Sequence, residues 1–247
     1  MKRAAIALCA VACAHALHQP PPIESVAKTP AADAAGLLAA ADAAWARRPR
    51  DAEAAEELYL EAARAGSVHG FAGAVRAKSF RLGRERDAAR KGALAQSAVE
   101  VGQLCEQAHP AAAPCDYWLA AALGLLARER HAAAKDALSH MVELLRRAAG
   151  GDERIDSGGP HRLLAIVMLR APGWPVGPGD AEAALPEAQA AARIAPEYAP
   201  NQLALGEALR KNGKDGRAAY ERALSLATAS DDPDAPGWAE DARAGLR

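Results

Sequence analysis

Aromatic residues are scarce: Phe, Tyr and Trp together make up 4% of the 247-residue chain. A core built from large stacked rings is therefore excluded, and packing must come from close approach of backbones. β-Branched residues are also sparse, and no run alternates apolar and polar long enough to read as a strand. Basic residues show no excess: the formal net charge is −1 and both signs are interspersed. There is no basic stripe of the kind that tracks a phosphate backbone, which argues against nucleic acid as a partner. The motifs of common chemistry are missing too. No phosphate loop, nucleophile elbow or metal-binding helix motif occurs. The Gly-rich pieces 150–159 and 173–179 lack a following Lys-Ser or Lys-Thr. His131, His140 and His161 share no helical spacing and read as surface or capping residues. The chain reads as non-catalytic, with neither cofactor nor metal.

Alanine fills the space that aromatics leave. It is the strongest helix former, so the composition predicts an all-α protein. The first residues, MKRAAIALCAVACAHA, place Lys2 and Arg3 before a short apolar run. That is the layout of an export leader, too short to span a bilayer. Two processing routes fit residues 1–16. Ala14-His15-Ala16 is an A-x-A cleavage site, and Ala10-Val11-Ala12-Cys13 resembles a lipoprotein box with lipid on Cys13. Either places the protein in the periplasm or cell envelope, and a lipid is then its only membrane attachment. Residues 17–30, rich in proline, read as an extended tether.

Cys105 and Cys115 lie beyond the leader, flanking HPAAAP. Outside the cytosol they are either a bridge across a short proline turn or two buried thiols. No second cysteine pair or spaced histidines accompany them, which excludes the usual zinc patterns.

Internal spacing is the most informative signal. Gly179 and Gly213, Ala184 and Ala218, and Ala55 and Ala89 each stand 34 residues apart. Ala55, Tyr59 and Ala62 follow an i, i+4, i+7 pattern, repeated by Ala184, Ala188 and Ala191 and by Gly216, Tyr220 and Ala223. Each set shares one helical face. Pro196 ends one helix, and APNQLALGEAL opens the next with Leu205-Gly206 and Leu209, a glycine that admits a close partner. These features resemble the tetratricopeptide repeat family, whose unit is a pair of antiparallel helices. The expected fold is an α-solenoid of stacked, degenerate helix pairs over residues 31–229, with a capping helix in 230–247. Leu163 to Leu169 is apolar all round and is predicted to lie centrally. The Pro/Gly-rich stretch Ala171–Asp180 is then a lengthened turn within one helix pair. Trp174 in it either packs back on the helices or stands exposed as a contact.

The order YWLAAALGL, GGPHRLLA, APGWPVGPGD and IAPEYAPN resembles a narrower group, the TatT-type periplasmic proteins associated with TRAP transporters. The resemblance implies an exported, lipidated, non-catalytic scaffold whose partner is a solute-binding protein. It also implies a second role, the holding of a small apolar ligand, and self-association through helix pairs. In a curved stack the first helices face the concave side. The residues expected to line it are Trp118, Leu125, Arg162, Ile166, Leu169, Leu203, Glu207 and Arg210. Simple core packing is the competing reading for Ile166 and Leu169. Arg162 and Arg210 are expected to make the partner contacts, because a charge facing a groove needs a counterpart or water.

Overall fold

A computed structural model describes residues 34–130 and 135–247, and Cys13 and the tether lie outside them. The chain forms eleven described helices: α1 (Ala34–Ala46), α2 (Ala52–Arg64), α3 (Val68–Arg84), α4 (Ala88–Ala108), α5 (Ala113–Arg130), α6 (Lys135–Gly151), α7 (Gly159–Arg170), α8 (Ala181–Ile194), α9 (Ala199–Lys211), α10 (Arg217–Thr228) and α11 (Ala235–Leu246). No strand occurs among the described residues; the single isolated bridge joins Gly173 and Gly179. No described helix is long and apolar enough to cross a membrane.

Local chemistry sets where the helices begin. The side chains of Ser67, Asp87 and Asp180 accept hydrogen bonds from the backbone N–H groups of Gly70, Arg90 and Ala183, satisfying donors that a helix start leaves open. Pro114, Pro160, Pro200 and Pro236 each occupy the second residue of an odd-numbered helix, α5, α7, α9 and α11. Proline is tolerated there because the helix has no use for its missing N–H.

Each helix packs on its successor, and the odd-numbered helices also touch one another in order, α1 on α3, α3 on α5 and onward to α11. The even-numbered helices make no comparable layer. A stack bonded in this way curves with its odd helices inside, the architecture of an α-solenoid. One apolar core runs through it from Ala41 to Ala208. Both α7 and α8 belong to that core, so Ala171–Asp180 is a turn inside a helix pair. The curvature brings the ends of the stack together. Arg48, after α1, reaches Asp232 at 2.6 Å, and Arg84, ending α3, reaches Asp234 at 2.8 Å.

The small-residue faces lie in the interior as their spacing requires. Ala55, Ala62, Ala184, Ala188, Ala191 and Ala223 are all fully buried. The 34-residue spacing is a different matter. Ala55 and Ala184 are buried, but Ala89 and Ala218 are exposed. Turn lengths vary from pair to pair, so a constant period does not mark equivalent positions. α7, spanning the apolar run, has most of its residues buried, with Leu163 and Ile166 left partly open.

Glycine sets the distance between α9 and α10. A Cβ on Gly216 would lie 2.5 Å from the Gly206 carbonyl oxygen, and one on Gly206 would lie 2.9 Å from the Tyr220 ring. Gly92 in α4 has nothing within 4 Å of such a Cβ. Gly216→Ala is therefore expected to destabilise by about 1–3 kcal/mol through overpacking. Gly92→Ala should stabilise by roughly 0.5–1 kcal/mol through helix propensity. Urea denaturation of the two variants checks the contrast.

Candidate functional site on the inner face

The odd helices turn side chains toward the hollow of the stack, and several neighbouring recesses form there, three of them along α5, α7 and the meeting ends of the stack. The first, of about 560 Å³, lies among α5, α6 and α7 and is mostly apolar, with Trp118, Leu125, Leu138, Met141, Leu163 and Ile166 in its wall. The second, of about 600 Å³, lies among α7, α9 and α11 and includes Ile166, Leu203, Glu207, Arg210 and Trp238. The third, of about 360 Å³, lies where the two ends of the stack meet and is walled by Trp45, Phe80, Trp118, Tyr198 and Trp238. Trp118 and Trp238 each border two of these recesses, and Arg162 and Ile166 border the first two.

Seven residues expected on the concave side therefore gather at two adjoining recesses: Trp118, Leu125, Arg162, Ile166, Leu203, Glu207 and Arg210. Leu169 does not. It is buried in the apolar core and lines neither recess, although it sits one turn beyond Ile166 on α7. Trp174 is 90% exposed at the tip of the α7–α8 turn, beside the exposed Val176. The turn beneath is pinned: Gly179 N–H donates to the Pro172 carbonyl at 2.8 Å and Asp180 N–H to the Met168 carbonyl at 2.9 Å.

Arg162 proves to be a different kind of residue from the one its position on the groove suggests. It is only 8% exposed. Its guanidinium donates to the Asp156 carboxylate at 2.5 Å, to the Asn201 side-chain oxygen at 2.9 Å and to the Asp156 carbonyl at 3.1 Å. It also stacks over the Tyr198 ring, 5.0 Å from the centroid. Tyr117 donates its hydroxyl to the same Asp156 carboxylate at 2.5 Å. Asn201, fully buried, donates from its amide to carbonyls of Ser157, Ala191 and Ala195. The arginine thus has its counterpart within the chain and ties α5, α7, α8 and α9 to the 152–158 loop. Burial pushes the Tyr198 phenol up to about 12 and the Tyr117 phenol well above its usual range, so both remain protonated donors.

Sequence reading missed Asp156, Tyr117, Tyr198 and Asn201. Asp156 sits in a polar, Gly-rich loop with a left-handed φ of 49°, which resembles any surface turn until its partners are known. A usable signal was Asn201, a polar residue placed among buried alanines in APNQLALGEAL.

Arg210 is exposed. It donates to the Gly245 carbonyl at 3.1 Å and lies over the Tyr220 ring. Glu207 pairs with Arg170 at 2.7 Å, closing the floor of the second recess. His161 places Nδ1 2.6 Å from Glu187, and that hydrogen bond raises its pKa above the usual imidazole value. His140 lies 3.9 Å from Glu143, and His131 is outside the described residues. Cys105 and Cys115 are joined by a disulfide between the end of α4 and the start of α5. No group of His, Cys, Asp or Glu among the described residues is placed to hold a metal ion.

No known protein-family model matches this chain, and comparison with curated proteins yields no match either.

The two arginines should separate in their effects. Arg162→Leu leaves the half-buried Asp156 carboxylate without its cation and the fully buried Asn201 oxygen without its donor, which costs about 3 kcal/mol. Arg210→Ala removes an exposed contact and should cost no more than about 1 kcal/mol. Thermal unfolding of both variants tests this, and equal losses would contradict the assignment of Arg162 to the interior network.

Proposed function

We propose that the protein is a non-catalytic helical-repeat scaffold of the tetratricopeptide type that works in the cell envelope and grips a partner protein on its inner face. The carrying observation is the second recess. It exposes apolar side chains, Leu203 and Ile166, beside the charged Glu207 and Arg210 on two successive odd helices, α7 and α9. Recognition by repeat proteins uses this kind of mixed concave surface: apolar anchors supply affinity and flanking charges set register.

Location in the envelope rests on two features. The leader has the charged-then-apolar form of an export signal, and a disulfide between Cys105 and Cys115 suits an oxidising compartment. The likeness of residues 114–210 to TatT-type proteins makes the solute-binding subunit of a TRAP-type transporter the foremost partner. Lipid on Cys13 would hold the scaffold at the membrane where such a subunit docks.

A second reading is favoured by the first recess. Six of its wall residues, Trp118, Leu125, Leu138, Met141, Leu163 and Ile166, are apolar. A hollow of this size and lining accepts a small lipophilic molecule, which would make the protein a carrier.

Affinity capture from a periplasmic extract separates the two. The scaffold reading predicts recovery of a solute-binding protein by the wild-type chain, reduced at least tenfold by Leu203→Asp combined with Arg210→Glu. Equal recovery by the variant would count against the second recess as the binding surface. The carrier reading predicts a retained lipid in native mass spectrometry of the purified protein, displaced by Ile166→Trp.

A further inference from the structure

We infer that the third recess is a binding site for a small aromatic carboxylate, with Arg76 as the residue that receives the carboxylate group. This goes beyond the scaffold reading and is tested independently of it, because Arg76 lines neither the first nor the second recess, although Trp118 and Trp238 are shared with them.

The first observation is compositional. The chain has ten aromatic residues in all. Five of them, including three of the four tryptophans, wall this one hollow: Trp45, Phe80, Trp118, Tyr198 and Trp238. They come from α1, α3, α5, α11 and the turn before α9, elements far apart in the chain. A protein that builds its core from alanine has concentrated its flat side chains where they leave a space of about 360 Å³. Such walls suit a flat, apolar body of a few rings or fewer.

The second observation is electrostatic. Four guanidiniums stand in or beside the recess, and three have a carboxylate at hydrogen-bond distance. Arg48 has Asp232 at 2.6 Å, Arg84 has Asp234 at 2.8 Å and Arg162 has Asp156 at 2.5 Å. Arg76 does not. Its nearest carboxylate is Asp42 at 3.9 Å, and that Asp42 oxygen already accepts the Tyr59 hydroxyl at 2.5 Å. Arg76 gives one bond to the Tyr59 oxygen at 2.8 Å, while its Nε, like that of Arg48, is shut off from water with no partner. An unfilled buried donor of this kind calls for an explanation. The side chain is nevertheless 36% accessible and lies over the Trp45 ring, 4.6 Å from its centroid. Tyr59 cannot supply the missing negative charge, because burial and the Asp42 hydrogen bond push its phenol up to about 12.

The recess therefore has aromatic walls and one guanidinium, Arg76, whose nearest carboxylate stands 3.9 Å away rather than in hydrogen-bond contact. A carboxylate attached to an aromatic body answers both features: the ring stacks among Trp45, Trp118 and Trp238, and the carboxylate pairs with the planar fork of Arg76.

The three tryptophans provide the readout. In Trp174→Phe protein, which removes the exposed background fluorophore, millimolar phenylacetate should change tryptophan emission saturably. Phenylacetate should bind at least tenfold more tightly than 2-phenylacetamide, which has the same shape without the charge. Arg76→Gln should remove that preference, with its melting temperature recorded to verify folding, and Arg76→Lys should restore part of it. No saturable change, equal binding of acid and amide, or an undiminished preference in folded Arg76→Gln would each overturn the assignment. Should Arg76→Gln fail to fold, the acid–amide comparison on the parent protein decides alone.

Discussion

Backbone-distance contact between helices is the constraint on which the structure rests. A Cβ on Gly70 of α3 would fall 2.4 Å from the backbone nitrogen of Ala63 in α2, and one on Gly73 would fall 2.3 Å from the Tyr59 ring. At such separations there is no room for leucine. Each alanine brings little apolar area of its own, so the attraction comes from many atom pairs at van der Waals range. That kind of cohesion is shared along a stack. Each pair buries its small-residue face only because the next one covers it.

A core so poor in large side chains leaves much of the specificity to buried charge. Glu56 accepts from Lys78 at 2.6 Å and from Arg81 at 2.7 Å between α2 and α3. Asp116, almost wholly buried, accepts from Arg147 at 2.6 Å between α5 and α6. The Asp156–Arg162–Asn201 network does the same among α5, α7, α8 and α9. Alanine faces tolerate sliding, whereas a buried ion pair is satisfied at one register only. We read these pairs as the devices that fix how far each helix is advanced along its neighbour.

Much of this was legible in the sequence. The i, i+4, i+7 faces of Ala55/Tyr59/Ala62 and Ala184/Ala188/Ala191 give the helices, their buried sides and their pairing, because helical periodicity is local. The glycine of Leu205-Gly206 marks a close crossing for the same reason. Closure of the stack was not legible: Arg48 and Asp232 are 184 residues apart, and their meeting depends on curvature accumulated over five pairs. The role of Arg162 was misread for a related reason. It lies on the inward helix face as expected, but its partners Tyr117 on α5 and Asn201 on α9 are 45 and 39 residues away and meet it only in three dimensions. Proline at the second residue of four odd helices, at intervals of 46, 40 and 36 residues, marks equivalent positions, which the 34-residue spacing does not.

The functional account follows from which helices face inward, and that depends on the sense and extent of the curvature. Double electron–electron resonance between spin labels at exposed positions 46 and 231 measures it directly. An inward-facing odd layer with meeting ends predicts a single narrow distribution at short distance, broadened and lengthened when Arg48 and Arg84 are both replaced by alanine. A long distance in the unsubstituted protein, as in an open rod, would contradict the account.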